Sequence, residues 1–341
     1  MNRIGAVCKE VRTKLRHDGI RGLFRAVSYR LPYTVPYLKT IALRRFHLRV
    51  PRKKTLWIHV GIHKTGTTFL QNLLAEERHG LQAFSIWFDK QSIELGEFLS
   101  QSSPLPESEL AKQQQILRDR YEARAEEVII LSSEFFFGDP DVAYQNIGAV
   151  ARDLKALTSD FEVKIVACIR RQDDFIQSWY HQYVKRGGAD GFPQYAQRVG
   201  LHRFRWDELL DSYEKQFGRE NLRVLVYEKI ARINESLINT FFNGLGFPFH
   251  MHPREFPHFN LSFSEKGLKL ALLCYPHLDL QERKQLRDFL LGTFPKGRNE
   301  KFKLLSEDEK KTLMQSCRES NLRCFEKYCG PAEEAARLGY V

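Results

Sequence analysis

The 341-residue chain lacks a long apolar run. Its uninterrupted apolar stretches are short, such as Val128-Ile129-Ile130-Leu131, whereas a membrane-spanning helix needs roughly 18–20 apolar residues. Cysteine is sparse. Cys8, Cys168, Cys274, Cys317, Cys324 and Cys329 form no C-x-x-C pair, which excludes a disulfide miniprotein and reads as reduced thiols of a cytoplasmic protein. Asn2-Arg3-Ile4-Gly5-Ala6-Val7 gives way at once to Lys9 and Glu10, without the apolar centre of a secretory signal. No His/Cys/Asp cluster has metal-ligand spacing, so no metal is expected. Acids are nearly missing from residues 1–54, which hold 15 Lys+Arg against only Glu10 and Asp18, a net +13. The total is +11, so residues 55–341 carry a net −2. A nucleic-acid binder spreads base over its domain surface. Here the body is neutral, and nucleic acid is not an expected partner.

With 43% hydrophobic and 28% charged residues, the chain can bury the core of one large α/β domain. Two regions are expected: a basic arm at 1–54 and a catalytic domain at 55–341. In the arm, Ile4, Val7, Val11 and Leu15 recur at helical spacing among Lys9, Arg12, Lys14 and Arg16. Ile20, Leu23, Phe24 and Val27 repeat the pattern after Asp18, a candidate N-cap, before Pro32 and Pro36 break it. A basic amphipathic segment of this kind can lie on an anionic membrane surface; packing on the catalytic domain and pairing with an acidic partner protein are the other readings. Strand-like segments follow at 55–60, 127–132, 163–169 and 222–227. They are rich in Val and Ile without strict alternation, as strands covered on both faces are. Helical patterns at 66–77, 108–126, 143–157, 173–186 and 206–217 separate them. This alternation predicts a three-layer α/β/α domain with a central parallel sheet. The stretches 88–107 and 187–205 read as loops, and about 260–330 as helical and part of the same domain.

The first strand runs into Gly61-Ile62-His63-Lys64-Thr65-Gly66-Thr67-Thr68. A glycine turn between a buried strand and a helix start is an anion cradle, because backbone N–H groups and the helix dipole point at the anion. Lys64 adds positive charge, and Thr65, Thr67 and Thr68 add donors. A nucleotide triphosphatase loop places its lysine after the second glycine; here Lys64 precedes Gly66. The third strand ends at Arg170, and Ser178 follows eight residues later on the next helix. A guanidinium at the carboxyl end of a parallel strand and a facing hydroxyl can hold one phosphate from two sides.

Lys64-Thr65-Gly66-Thr67-Thr68 resembles the 5′-phosphosulfate loop of the sulfotransferases, and Arg170 with Ser178 resembles their 3′-phosphate motif. The resemblance covers about residues 55–330. The loop is similar to that of bacterial carbohydrate-type members. Many members carry a proline shortly after the arginine, where this chain has Gln172-Asp173. The resemblance implies 3′-phosphoadenosine 5′-phosphosulfate as co-substrate. It implies transfer to a hydroxyl, or an amine, of a carbohydrate or glycolipid. Lys64 would be catalytic. Tyr227, in Val226-Tyr227-Glu228, resembles the family's adenine-side tyrosine. Lys296, Gly297 and Arg298 resemble its late basic loop.

Transfer to a hydroxyl requires a base. Glu134, just past the second strand, is one candidate and His63 another; His59, inside a strand, reads as a packed histidine. Acceptor contacts are expected from 88–107 and 187–205, with His202, Arg203, Arg205 and Trp206 just beyond. The rival readings are a kinase on the same loop architecture, which would need a lysine after Gly66, and a basic membrane- or nucleic-acid-binding protein acting through the arm. The expected location is cytoplasmic, peripheral at a membrane.

Overall fold

The computed structural model describes residues 53–76, 81–82, 84–232, 241–242, 262–295, 297 and 304–341. The amphipathic patterns expected in the arm, over residues 4–27, therefore lie outside the described residues.

The four Val/Ile-rich segments form strands β1 (Thr55–Gly61), β3 (Val128–Ser132), β4 (Glu162–Ile169) and β5 (Leu222–Val226). A further edge strand, β2 (Ile86–Asp89), joins them. The sheet order is β2-β3-β1-β4-β5, and every pairing is parallel. β2 escapes the sequence pattern because it is four residues long and is entered from Ser85 at φ 63°.

Side chains of a strand alternate between faces, and here both faces are covered. Ile86, Phe88, Ile130 and Val166 face one way and pack with Leu70, Leu73 and Leu74 of helix α1 (Thr67–Glu76). Leu56, Ile58, Ile129, Leu131, Ile165 and Ala167 face the other way, into a larger core. That core takes residues from α4 (Ile147–Leu157), α5 (Gln172–Lys185) and α7 (Trp206–Phe217). This is the expected three-layer α/β/α architecture. Residues of α9 (Glu265–Cys274), α10 (Leu280–Thr293) and α11 (Glu307–Cys324) enter the same core, as does Tyr340 near the C-terminus.

Both stretches expected to be loops contain helices. Within 88–107 lies α2 (Ser92–Ser102), which buries Leu95, Gly96 and Leu99. Serine and glycine weaken its intrinsic propensity, and packing supplies the rest. Within 187–205 lies α6 (Phe192–Val199), with proline in its first turn and Gly200 at its C-cap. Helix α3 (Glu107–Glu122) follows α2, and α8 (Tyr227–Arg232) takes Tyr227 as its first residue, not as a strand end.

Candidate active site

The phosphate-cradle candidate stands at the carboxyl end of β1, in the middle of the sheet. The turn curls because Lys64 and Gly66 both adopt left-handed backbone, at φ 66° and 88°. Successive N–H groups on such a turn converge into a concavity that holds anions. Gly61 allows the close return of α1: a Cβ there would stand 2.6 Å from Thr67 Oγ1 and 2.7 Å from His59 Cε1. Thr65 closes the loop by donating its hydroxyl to the Ile62 carbonyl at 2.6 Å. The Thr67 hydroxyl is buried and has no hydrogen-bond partner, while Thr68 is exposed. The first N–H groups of α1 have no intrahelical acceptor.

Arg170 follows β4, the strand beside β1. Its Nη1 donates to the Lys64 carbonyl at 2.7 Å, across 106 positions of sequence. Its guanidinium lies over the Tyr227 ring, 4.8 Å from the centroid. Its Nε is buried without a partner. Behind it, Glu228 accepts the Arg171 N–H at 2.9 Å and the Tyr340 hydroxyl at 2.7 Å. Lys64, Arg170 and Tyr227 are thus brought together. Ser178 is half-buried, two turns along α5.

Glu134 opens a short 3-10 turn after β3 (Glu134–Phe137). Helix α2 presses on this turn at Gly96, where a Cβ would lie 2.2 Å from Ser133 Oγ. The Glu134 side chain is 30% exposed. Burial raises its pKa; Lys64 and Arg186 oppose that shift, and Glu97 adds to it. Burial likewise depresses Lys64, Glu134 counters, and Lys185, Arg170 and Arg186 push it further down.

His63 stands behind Glu134, fully buried. Phe135 and Trp179 meet its ring edge-on at 5.1 and 4.7 Å between centroids. Nδ1 lies 3.2 Å from the Tyr144 hydroxyl, and Nε2 lies 4.0 Å from Glu134 Oε1. Burial, then Arg186 and Lys64, hold its pKa well below the usual histidine value, so the ring is neutral. His59 is a packed strand histidine, bonded to Ser132 Oγ at 2.9 Å and pushed down to about 4 by burial.

Trp206 is not an acceptor contact. It is fully buried and donates its indole N–H to the Arg170 carbonyl at 2.8 Å. Arg205 pairs with Glu208 on the surface. Gly297 is described, whereas Lys296 and Arg298 lie outside the described residues. Trp179 and Tyr144 border His63, and Arg186 lies over Trp179; none of the three was a sequence expectation. For Trp179 and Arg186 a signal existed: they are seven apart in a helical segment, hence on one face. Tyr144 left none, because it arrives on a turn at φ 60°.

Among the described residues no group of three or more His, Cys, Asp or Glu is placed to hold a metal ion. No described helix is long and apolar enough to cross a membrane.

No protein-family profile matches the chain, and no curated protein matches its sequence. Among solved structures, the sulfotransferase from Alicyclobacillus acidocaldarius aligns with 69% of this chain and 100% of its own, at 18% identity and a TM-score of 0.40. The sulfotransferase domain from the curacin biosynthetic pathway aligns over 78% and 97%, at 12% identity and 0.37. Retinol dehydratase, in complex with androsterone and the inactive cofactor PAP, aligns over 84% and 85%, at 15% identity and 0.34. At identities and scores this low, shared activity does not follow.

Proposed function

We propose that the protein is a sulfotransferase that moves a sulfuryl group from 3′-phosphoadenosine 5′-phosphosulfate to a hydroxyl of a carbohydrate or glycolipid. The observation that carries this reading is the Arg170–Lys64 contact at 2.7 Å. It joins two phosphate motifs, from adjacent parallel strands, at the carboxyl edge where such sheets bind ligands. The residues fit a nucleotide with two phosphate positions. The loop N–H groups, Lys64 and the unpartnered Thr67 hydroxyl suit the 5′ side; Arg170, with its unpartnered Nε, and Ser178 suit the 3′ side. Buried polar groups without protein partners call for a ligand or water to satisfy them. Tyr227, under the Arg170 guanidinium, provides an aromatic wall for the base.

The donor supplies the sulfuryl group and a phosphate leaving group. Glu134 accepts the acceptor's hydroxyl proton as the new O–S bond forms. Lys64 and the loop N–H groups stabilise the charge that collects on the 5′-phosphate oxygen as the old S–O bond breaks. Glu134 suits the base better than His63, because burial raises the carboxylate's proton affinity and lowers that of the imidazole. The Tyr144 hydroxyl takes His63 Nδ1, which leaves Nε2 facing the carboxylate.

The test is thermal stability with nucleotides. Adenosine 3′,5′-bisphosphate should raise the Tm, since a ligand of the native state stabilises it by mass action. ATP with Mg²⁺ should do much less. Equal or greater stabilisation by ATP favours a kinase.

A further inference from the structure

Helix α5 presents two neighbouring stripes to the site. Residues seven apart share one face of an α-helix. Ser178 lies on one stripe, and Trp179 lies on the next, about 100° round the axis, in line with Arg186, the residue that caps the helix C-terminus. In the sulfotransferase reading, on which this inference rests, the first stripe serves the donor. The second belongs to Glu134: Trp179 packs on His63 at 4.7 Å, and His63 Nε2 is 4.0 Å from the Glu134 carboxylate.

Arg186 lies over the Trp179 ring, its guanidinium carbon 4.4 Å from the centroid. Asp141 fixes both side chains. One carboxylate oxygen accepts the indole N–H at 2.8 Å, and the other accepts Arg186 Nη2 at 2.8 Å. The Arg186 side chain is nevertheless 42% exposed. Its charge reaches the reacting groups, since it depresses the proton affinity of His63, Lys64 and Glu134. A guanidinium stacked on one ring and anchored through one nitrogen holds its other N–H donors in a fixed plane. That fork suits a carboxylate or sulfate.

We infer that Arg186 reads an anionic group on the acceptor while a neighbouring hydroxyl of the same molecule meets Glu134, so that the acceptor is an acidic carbohydrate.

Calorimetric titration of the full chain with adenosine 3′,5′-bisphosphate present tests this with three tetrasaccharides. One alternates glucuronate and N-acetylglucosamine, one is a neutral chitotetraose, and one is chitotetraose bearing sulfate esters. At least one acidic sugar should bind about tenfold or more tightly than the neutral one, and the two acidic arms separate carboxylate from sulfate recognition. Arg186→Gln should weaken the acidic sugar roughly 10- to 100-fold, the range for losing one charge-assisted contact. Arg186→Lys should recover part of that loss, with Tm and nucleotide affinity unchanged. If Arg186→Gln lowers the Tm, the Lys variant carries the comparison, with a several-fold loss expected at an intact Tm. Equal binding of acidic and neutral sugars, no binding of either acidic sugar, or unchanged binding in the variants overturns the inference. Nucleotide binding is titrated separately and the sugar arms are repeated without it. A chain that binds acidic sugar through Arg186 but not the nucleotide loses the sulfotransferase reading alone.

Discussion

Two side chains carry most of the proposed chemistry, and each predicts its own failure. Arg170 spends one nitrogen on the Lys64 carbonyl and stacks on Tyr227; in our reading the rest of its fork meets the 3′-phosphate. Arg170→Ala should weaken adenosine 3′,5′-bisphosphate by about 1.5–3 kcal/mol, the range for a hydrogen bond to a charged group; unchanged affinity by calorimetry would move the 3′-phosphate elsewhere. Glu134→Gln should leave that affinity intact and slow transfer roughly 10²–10⁴-fold, the usual contribution of a general base. The pH profile has a definite sign. The base works deprotonated, and burial raises Glu134 above the ordinary value of 4.5. The rate should therefore fall with falling pH, on a limb centred above 4.5. Lys64 works protonated and is held below its ordinary 10.5, so the alkaline limb of kcat/KM, which reports the free enzyme, should lie below 10.5. An acid limb at or below 4.5 would remove Glu134 from the role.

Among the elements, the position of Glu134 depends on helix α2. Gly96 lets that helix lie directly on the turn at Ser133, where a Cβ would meet Ser133 Oγ at 2.2 Å and Cβ at 2.5 Å. Ser133 is itself tied to β1, its N–H donating to the His59 carbonyl at 3.2 Å. Neither partner is a long flexible side chain, so Gly96→Ala has to push the helix or the turn. Overpacking of this kind costs about 1–3 kcal/mol, and the shift reaches Glu134. A lower Tm together with a reduced transfer rate and normal nucleotide affinity is expected; an unchanged Tm would show that the contact is slack. The same helix marks a limit of reading the sequence. Ser92–Ser102 holds four serine or glycine residues in eleven, which weakens its helix propensity, and burial of Leu95 and Leu99 in the core together with the contact at the turn makes it a helix. The candidate phosphate loop is legible for the opposite reason. Its glycines, lysine and hydroxyls are there for local backbone and charge, which sequence order records directly. Arg186 and Asp141 meet through tertiary packing, and spacing along the chain registers only the Trp179–Arg186 half of that group.

For the whole molecule, the sheet order could not be read in advance, but its consequence could. Buried strands alternating with helices must place Lys64, Glu134 and Arg170 at one edge, because parallel strands β1, β3 and β4 end on the same side. Charge is divided differently. Residues 1–54 carry +13 and the rest −2, so the body has no general attraction for polyanions, and the arm has one. We propose that the arm holds the protein at an anionic membrane surface. Each basic residue near such a leaflet contributes about 1 kcal/mol, and the apolar residues spaced among them add interfacial burial. Several acting together suffice for reversible attachment. Co-sedimentation with vesicles of phosphatidylserine and phosphatidylcholine should show binding that weakens as salt is added. The salt effect follows because the attraction is screened within about 8 Å at physiological ionic strength, and pure phosphatidylcholine, which has no net charge, should give no binding. Deleting residues 1–54 should abolish vesicle binding and leave adenosine 3′,5′-bisphosphate binding in place. If the shortened chain fails to fold, the arm is part of the domain and the attachment proposal is wrong; if it folds and still binds the vesicles, the attraction lies in the body, against the charge division.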